Sequence, residues 1–68
     1  MKTRVVKWHD ARAYGGHWID RNEKFEAPEC ITVGYLVSED KRQIVLAQSF
    51  SETEYLNIVA IPKAWVVK

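Results

Sequence analysis

Residues 7 to 18 read KWHDARAYGGHW. Both histidines of the chain, two of its three tryptophans and two of its three glycines fall in this stretch. Three chemistries suit such residues: metal ligation, general-base catalysis, and recognition of a flat, anionic ligand. A metal shell would draw on His9, Asp10, His17 and Cys30. Zinc sites pair their ligands at short spacings. Here the histidines stand too far apart for such a pair and Cys30 is the only cysteine. Loop polarity accounts for the histidines, and a small apolar side chain for Cys30. A nucleophile and base would be Cys30 with His17, or His9 with Asp10. Neighbours in a strand point to opposite faces, which disfavours the second pair. No nucleophile elbow, phosphate-binding loop or dinucleotide fingerprint is present. The pattern therefore predicts no catalytic centre, no metal and no cofactor.

Ligand recognition fits the stretch better. Guanidinium forks match phosphates, and aromatic planes stack on bases. Arg12, His17 and Lys63 are the expected phosphate donors, and Tyr14 and Trp18 the expected stacking planes. Gly15 and Gly16 would allow backbone N–H groups to approach a phosphate closely. Gln48 and Ser49 would add donors from across the fold or from a neighbouring chain. Trp8 is a further plane, although an anchoring role in the core is the stronger expectation for it. The same tryptophan, tyrosine and arginine side chains would equally form a protein-binding hot spot.

Composition narrows the partners. Hydrophobic residues make up 47% of the 68-residue chain and charged ones 28%, which is globular rather than disordered. The formal net charge is +1, so no broad basic field exists to hold DNA or RNA. Arg4, Lys7, Arg12 and Arg21 are offset by Asp10, Asp20, Glu23, Glu26 and Glu29. A single-stranded nucleic acid is an alternative partner, but a polymer is not the expected one. A lone cysteine forms no internal disulfide, and no apolar run approaches the roughly 20 residues of a membrane span. A cytoplasmic protein is expected.

The elements that must position these residues are strands. Thr3 to His9 (TRVVKWH) reads as the first. Asp10 to Glu29 is a long polar connection that Trp18, Ile19 and Phe25 are expected to pin to the body. Ile31 to Val37 alternates as a second strand, with Gly34 marking a bulge, a sharp bend or a close backbone approach. Ser38 to Arg42 is a charged tip, and Gln43 to Ser49 returns. Phe50 to Tyr55 is an acidic connection, with one helical turn as an alternative, because Ser51 and Glu54 have capping-box spacing. Leu56 to Ile61 is a fourth strand, ended by Pro62. Trp65 to Val67 would follow as a fifth after one tight turn. Five short strands suit a small barrel in one domain, 1–68, with a long loop after strand 1. IVLA (44–47) and IVAI (58–61) are apolar on both faces, so the outer face needs cover. A second copy is its simplest source.

The ending IPKAWVV (61–67) resembles the strand, 3₁₀ turn and strand that close SH3-like and Sm-like barrels. A wider set of blocks is similar to a group of small proteins of tailed bacteriophages: Trp8-x-Asp10-Ala11, Gly16-x-Trp18, VGYLVSED (33–40), IVLAQS (44–49) and IPK (61–63). The resemblance implies an all-β, five-stranded SH3-like barrel of viral origin, acting in the cytoplasm of an infected bacterium. Small phage oligomers also include sponges for the cyclic nucleotide signals of host immunity, an analogy of size and assembly. The expected protein is thus a non-enzymatic homo-oligomer sequestering a nucleotide-type ligand between subunits. The alternative is an inhibitor or regulator of a host protein.

Overall fold

A computed structural model describes residues 1–68. Four strands, β1 (Thr3–His9), β2 (Glu29–Glu39), β3 (Gln43–Phe50) and β4 (Tyr55–Pro62), form one antiparallel sheet in chain order. A single 3₁₀ turn, Lys63–Trp65, follows β4. Local chemistry sets the two short connections. The Asp40 carboxylate accepts from the backbone N–H of Arg42 (2.7 Å) and Gln43 (3.0 Å), which closes the β2–β3 turn. The Ser51 hydroxyl accepts from the N–H groups of Thr53 and Glu54, and the Ser51 N–H donates to the Glu54 carbonyl. The capping-type hydroxyl thus serves a hairpin turn rather than a helical one, and β4 starts at the next residue.

β2 serves two partners in succession. Its residues Glu29 to Tyr35 pair with β1, and Tyr35 to Glu39 pair with β3, so Tyr35 alone belongs to both ladders. The register slips between Leu36 and Ser38, leaving Val37 as the extra residue of a bulge. At the hand-over stands Gly34. A Cβ there would lie 2.9 Å from the Ala47 carbonyl oxygen and 3.1 Å from Leu46 Cβ. Only a residue without a side chain lets β3 come this close.

The core is small. Val6, Ile44, Leu46 and Ile61 are buried together, with Trp8, Leu36, Val59 and Val66 packed against them. Trp8 lies parallel to Trp65, ring centres 6.4 Å apart, and its indole N–H donates to the Thr32 hydroxyl at 2.9 Å. This is the anchoring role expected of Trp8. Val5, Ile31, Val33, Leu56 and Ile58 remain exposed.

The all-β class is as expected, but the five-stranded barrel is not what forms. The sheet has four strands and is not closed. Trp65 is consumed by the 3₁₀ turn, so the segment expected as a fifth strand contributes one bridge, Val66 to Trp8, and one bond from Val67 N–H to the Lys7 carbonyl at 2.8 Å. The long connection also departs from expectation. Trp18 does not pin it to the body, being 101% exposed, and Phe25 packs against Tyr14 within the connection itself.

The chain is consequently extended, measuring 51 × 26 × 17 Å with a radius of gyration of 15.5 Å. A compact chain of this length would have a radius of about 11 Å. Its accessible surface is 5924 Å², against roughly 4,400 Å² for a compact monomer of the same mass.

Gly34→Ala tests the hand-over. The backbone carbonyl of Ala47 cannot swing aside as a flexible side chain would. The substitution is expected to destabilise the fold by about 1–3 kcal/mol through overpacking, read as a lower urea midpoint at unchanged slope.

Candidate functional site

The connection between β1 and β2 is an arm. At its root the Asp10 N–H donates to the Pro28 carbonyl (3.0 Å), and His9 Nδ1 lies 3.4 Å from the Ala27 carbonyl oxygen. His9 and Glu29 face each other across the last pair of the β1–β2 ladder. Midway, the Tyr14 hydroxyl donates to the Glu26 carbonyl at 3.0 Å, and the Tyr14 and Phe25 rings meet edge to face at 4.9 Å. The Arg12 guanidinium lies over the Tyr14 ring, 5.1 Å from its centre, a cation–π geometry. Near the tip, Asp20 closes a turn by accepting from the Asn22 N–H on its carboxylate and from the Glu23 N–H on its carbonyl. Gly16 has φ +82°, a conformation glycine adopts freely. His17 Nδ1 sits 3.1 Å from the Gly15 carbonyl oxygen.

Two clefts flank the arm. The root cleft, about 490 Å³, is lined by His9, Arg12, Tyr14, Lys24, Ala27, Pro28 and the carboxylates Glu26 and Glu29. The tip cleft, about 300 Å³, is lined by Tyr14, His17, Trp18, Ile19 and Phe25, with Asp20 and Glu23. Tyr14 belongs to both. The root cleft combines cationic donors, an aromatic plane and carboxylate acceptors. The tip cleft combines aromatic rings with His17 and two carboxylates.

Four of the expected ligand residues, Arg12, Tyr14, His17 and Trp18, therefore share the arm. The others do not join them within one chain. Trp8 is packed between Trp65 and the core. The Gln48 side-chain carbonyl accepts from the Asn57 amide, and Ser49 lines a separate cleft with Phe50, Tyr55 and Leu56. Lys63 lines another with Glu39, Lys41, Ile44 and Lys68. There its ammonium is 3.0 Å from one Glu39 oxygen, while Arg4 holds the other at 2.9 Å. The Cys30 thiol turns to the Pro28 carbonyl, 3.9 Å away. His9, whose residue type suits a metal or a catalytic base, lines the root cleft instead, beside Lys24, which no sequence motif marks, and Glu26, which the sequence marks only as a charge. Their signal was symmetry: a long loop that folds back between paired strand ends sets residues 9 to 14 beside 24 to 29.

Sheet, turn and arm define a small all-β protein: an open four-stranded antiparallel sheet carrying an aromatic arm after its first strand. No family model matches the chain, and neither a curated protein nor a solved structure matches it significantly. No helix is long and apolar enough to cross a membrane.

Glu39 offers a measurable check on the Lys63 assignment. Hydrogen bonds from Lys63 and then Arg4 hold its carboxyl below the ordinary value. A carboxyl lowered in the folded state stabilises above its unfolded pKa, and that contribution disappears as pH falls through the folded value. Glu39→Gln is therefore expected to lower the urea midpoint at pH 7. The gap to wild type should shrink once the pH drops below about 4.

Proposed function

We propose that the protein is a non-enzymatic binding protein that takes a nucleotide-type anionic ligand in the cleft at the root of its arm. The observation that carries this is the composition of that cleft. Arg12, Lys24 and His9 supply donors for a phosphate, and Tyr14 supplies a ring for a base. Glu26 and Glu29 supply acceptors for ribose hydroxyls or base N–H groups, as carboxylates do in nucleotide sites. A nucleoside phosphate presents this same mixture of groups. Its volume also falls in the range of about 300–1,000 Å³ usual for small-molecule sites.

The fold supports a related reading. The long loop after β1, the strand β2 shared between two ladders, the 3₁₀ turn after β4 and the Val66 bridge back to β1 follow the element order of a small SH3-like barrel that stays open at one side. The apolar strand residues left exposed, Val5, Ile31, Val33, Leu56 and Ile58, favour a homo-oligomer, in which a neighbouring chain would bring Gln48, Ser49 or Lys63 toward the arm. In a protein of phage origin, such a site would sequester a host immune signal without turnover, in the cytoplasm of the infected cell.

A second reading has its own observation. Trp18 is wholly exposed at the outer part of the arm, in a cleft lined by aromatic and acidic residues. Such a tryptophan is the usual anchor of a protein-binding hot spot. A host protein would then be the partner.

A thermal-shift screen against mono-, di- and cyclic nucleotides separates the two, since a ligand of the folded state raises its apparent stability. At least one nucleotide is expected to raise the melting temperature of the wild type, and heat should release it chemically unchanged. Arg12→Ala should abolish the shift, and Trp18→Ala should leave it largely intact. No shift from any nucleotide, together with a host protein lost on Trp18→Ala, would favour the second reading. Recovery of an altered ligand would overturn both.

A further inference from the structure

The root cleft holds charged side chains of both signs that do not pair with one another. Both ion pairs of the chain belong to Glu39. Arg12, Lys24, Glu26 and Glu29, which line the cleft, take part in neither. The two cations have a use as phosphate donors. The two carboxylates would repel a phosphate, so each must face a part of the ligand that carries donors. Their places in the cleft differ. The Tyr14 hydroxyl donates to the Glu26 carbonyl at 3.0 Å, which ties residue 26 to the rim of the stacking plane. Glu29 stands at the mouth of the arm, opposite His9 on the last rung of the β1–β2 ladder. A base lying on Tyr14 thus meets Glu26 at its edge. The bases differ in what they offer a carboxylate there. Guanine carries two adjacent donors on its pairing edge, N1–H and N2–H, spaced to meet both carboxylate oxygens at once. The amino groups of adenine and cytosine each stand beside a ring nitrogen that accepts, and the uracil N–H stands between two carbonyls. With those three a carboxylate gains one bond and faces a lone pair. Paired, charge-assisted bonds are the strong and selective ones.

We propose that the root cleft selects guanine among the nucleobases, with the Glu26 carboxylate accepting from N1–H and N2–H of a base stacked on Tyr14. Arg12, Lys24 and His9 stay with the phosphate, and Glu29 accepts from a ribose hydroxyl. This inference rests on the nucleotide reading of the cleft and names the base that it would hold.

The test is titration calorimetry of the full chain with the monophosphates of guanosine, adenosine, cytidine, uridine and inosine. Guanosine monophosphate should bind at least about tenfold more tightly than the adenosine, cytidine and uridine compounds. Inosine monophosphate, which lacks the N2 amino group, should fall between; this comparison needs no variant. Glu26→Gln keeps the size of an exposed side chain and exchanges one acceptor for a donor. It should weaken guanosine monophosphate about tenfold, strengthen adenosine monophosphate, whose edge a carboxamide matches, and close the gap between guanosine and inosine. A merely structural Glu26 would move all five compounds together. Glu29→Ala should weaken all five alike and leave their order unchanged. Equal or tighter binding of adenosine, cytidine or uridine monophosphate to the wild type, or an unchanged order in Glu26→Gln, would overturn the choice of guanine. If Arg12→Ala abolishes that binding, the cleft remains the nucleotide site and only its base is wrong. Silence toward all five compounds would overturn the choice of guanine and count against the cleft itself.

Discussion

The contact on which the rest of the molecule depends is the approach of β3 to Gly34. The Ala47 carbonyl stands where a Cβ would be, and nothing but hydrogen fits there. This closeness lets β2 leave β1 and take up β3 within a single residue, Tyr35. One strand then organises two hairpins, and the bulge at Val37 turns its far end. Without this hand-over, β1 and β3 would have no common partner. Val6 from one hairpin and Ile44, Leu46 and Ile61 from the other would not meet.

The same economy limits the core. A chain of this length cannot cover both faces of a sheet that it has also bent. Trp8 compensates at one end by lying against Trp65 and bonding Thr32, which ties the C-terminal turn to β1. At the other end nothing comparable covers β4 or the exposed valines and isoleucines of β1 and β2. The exposed apolar surface is thus a consequence of how β2 is shared. It is also the physical reason to expect association.

The arm is the other product of this geometry. β1 and β2 end side by side at His9 and Glu29, so the chain between them must leave and return at one place. It holds its shape through its own contacts: Arg12 on Tyr14, Tyr14 on Phe25, and the Tyr14 hydroxyl on the Glu26 carbonyl. Arg12, Tyr14 and Phe25 are therefore supported by the arm itself rather than by the core. Lys63 has a different task. It and Arg4 share the Glu39 carboxylate, which secures the 3₁₀ turn beside the end of β2.

The sequence by itself determined the strands, the tight turns and the long loop. β1 is legible to the residue, and the others to within about two residues at each end. Alternating side chains and turn-forming Asp40, Ser51 and Pro62 act over a few residues, so their signals are local. Gly34 is legible as a bulge, a bend or a close approach; the structure makes it the close approach and sets the bulge at Val37. The tertiary structure alone decided that Trp18 points away from the body, that Lys63 belongs to Glu39, and that His9 and Lys24 share a cleft with Arg12 and Tyr14. It also decided that Trp65 enters the turn, which leaves the sheet open. Each of these depends on pairing between residues far apart in the chain. A tryptophan or a lysine carries no mark, in its own neighbourhood, of which distant partner will reach it.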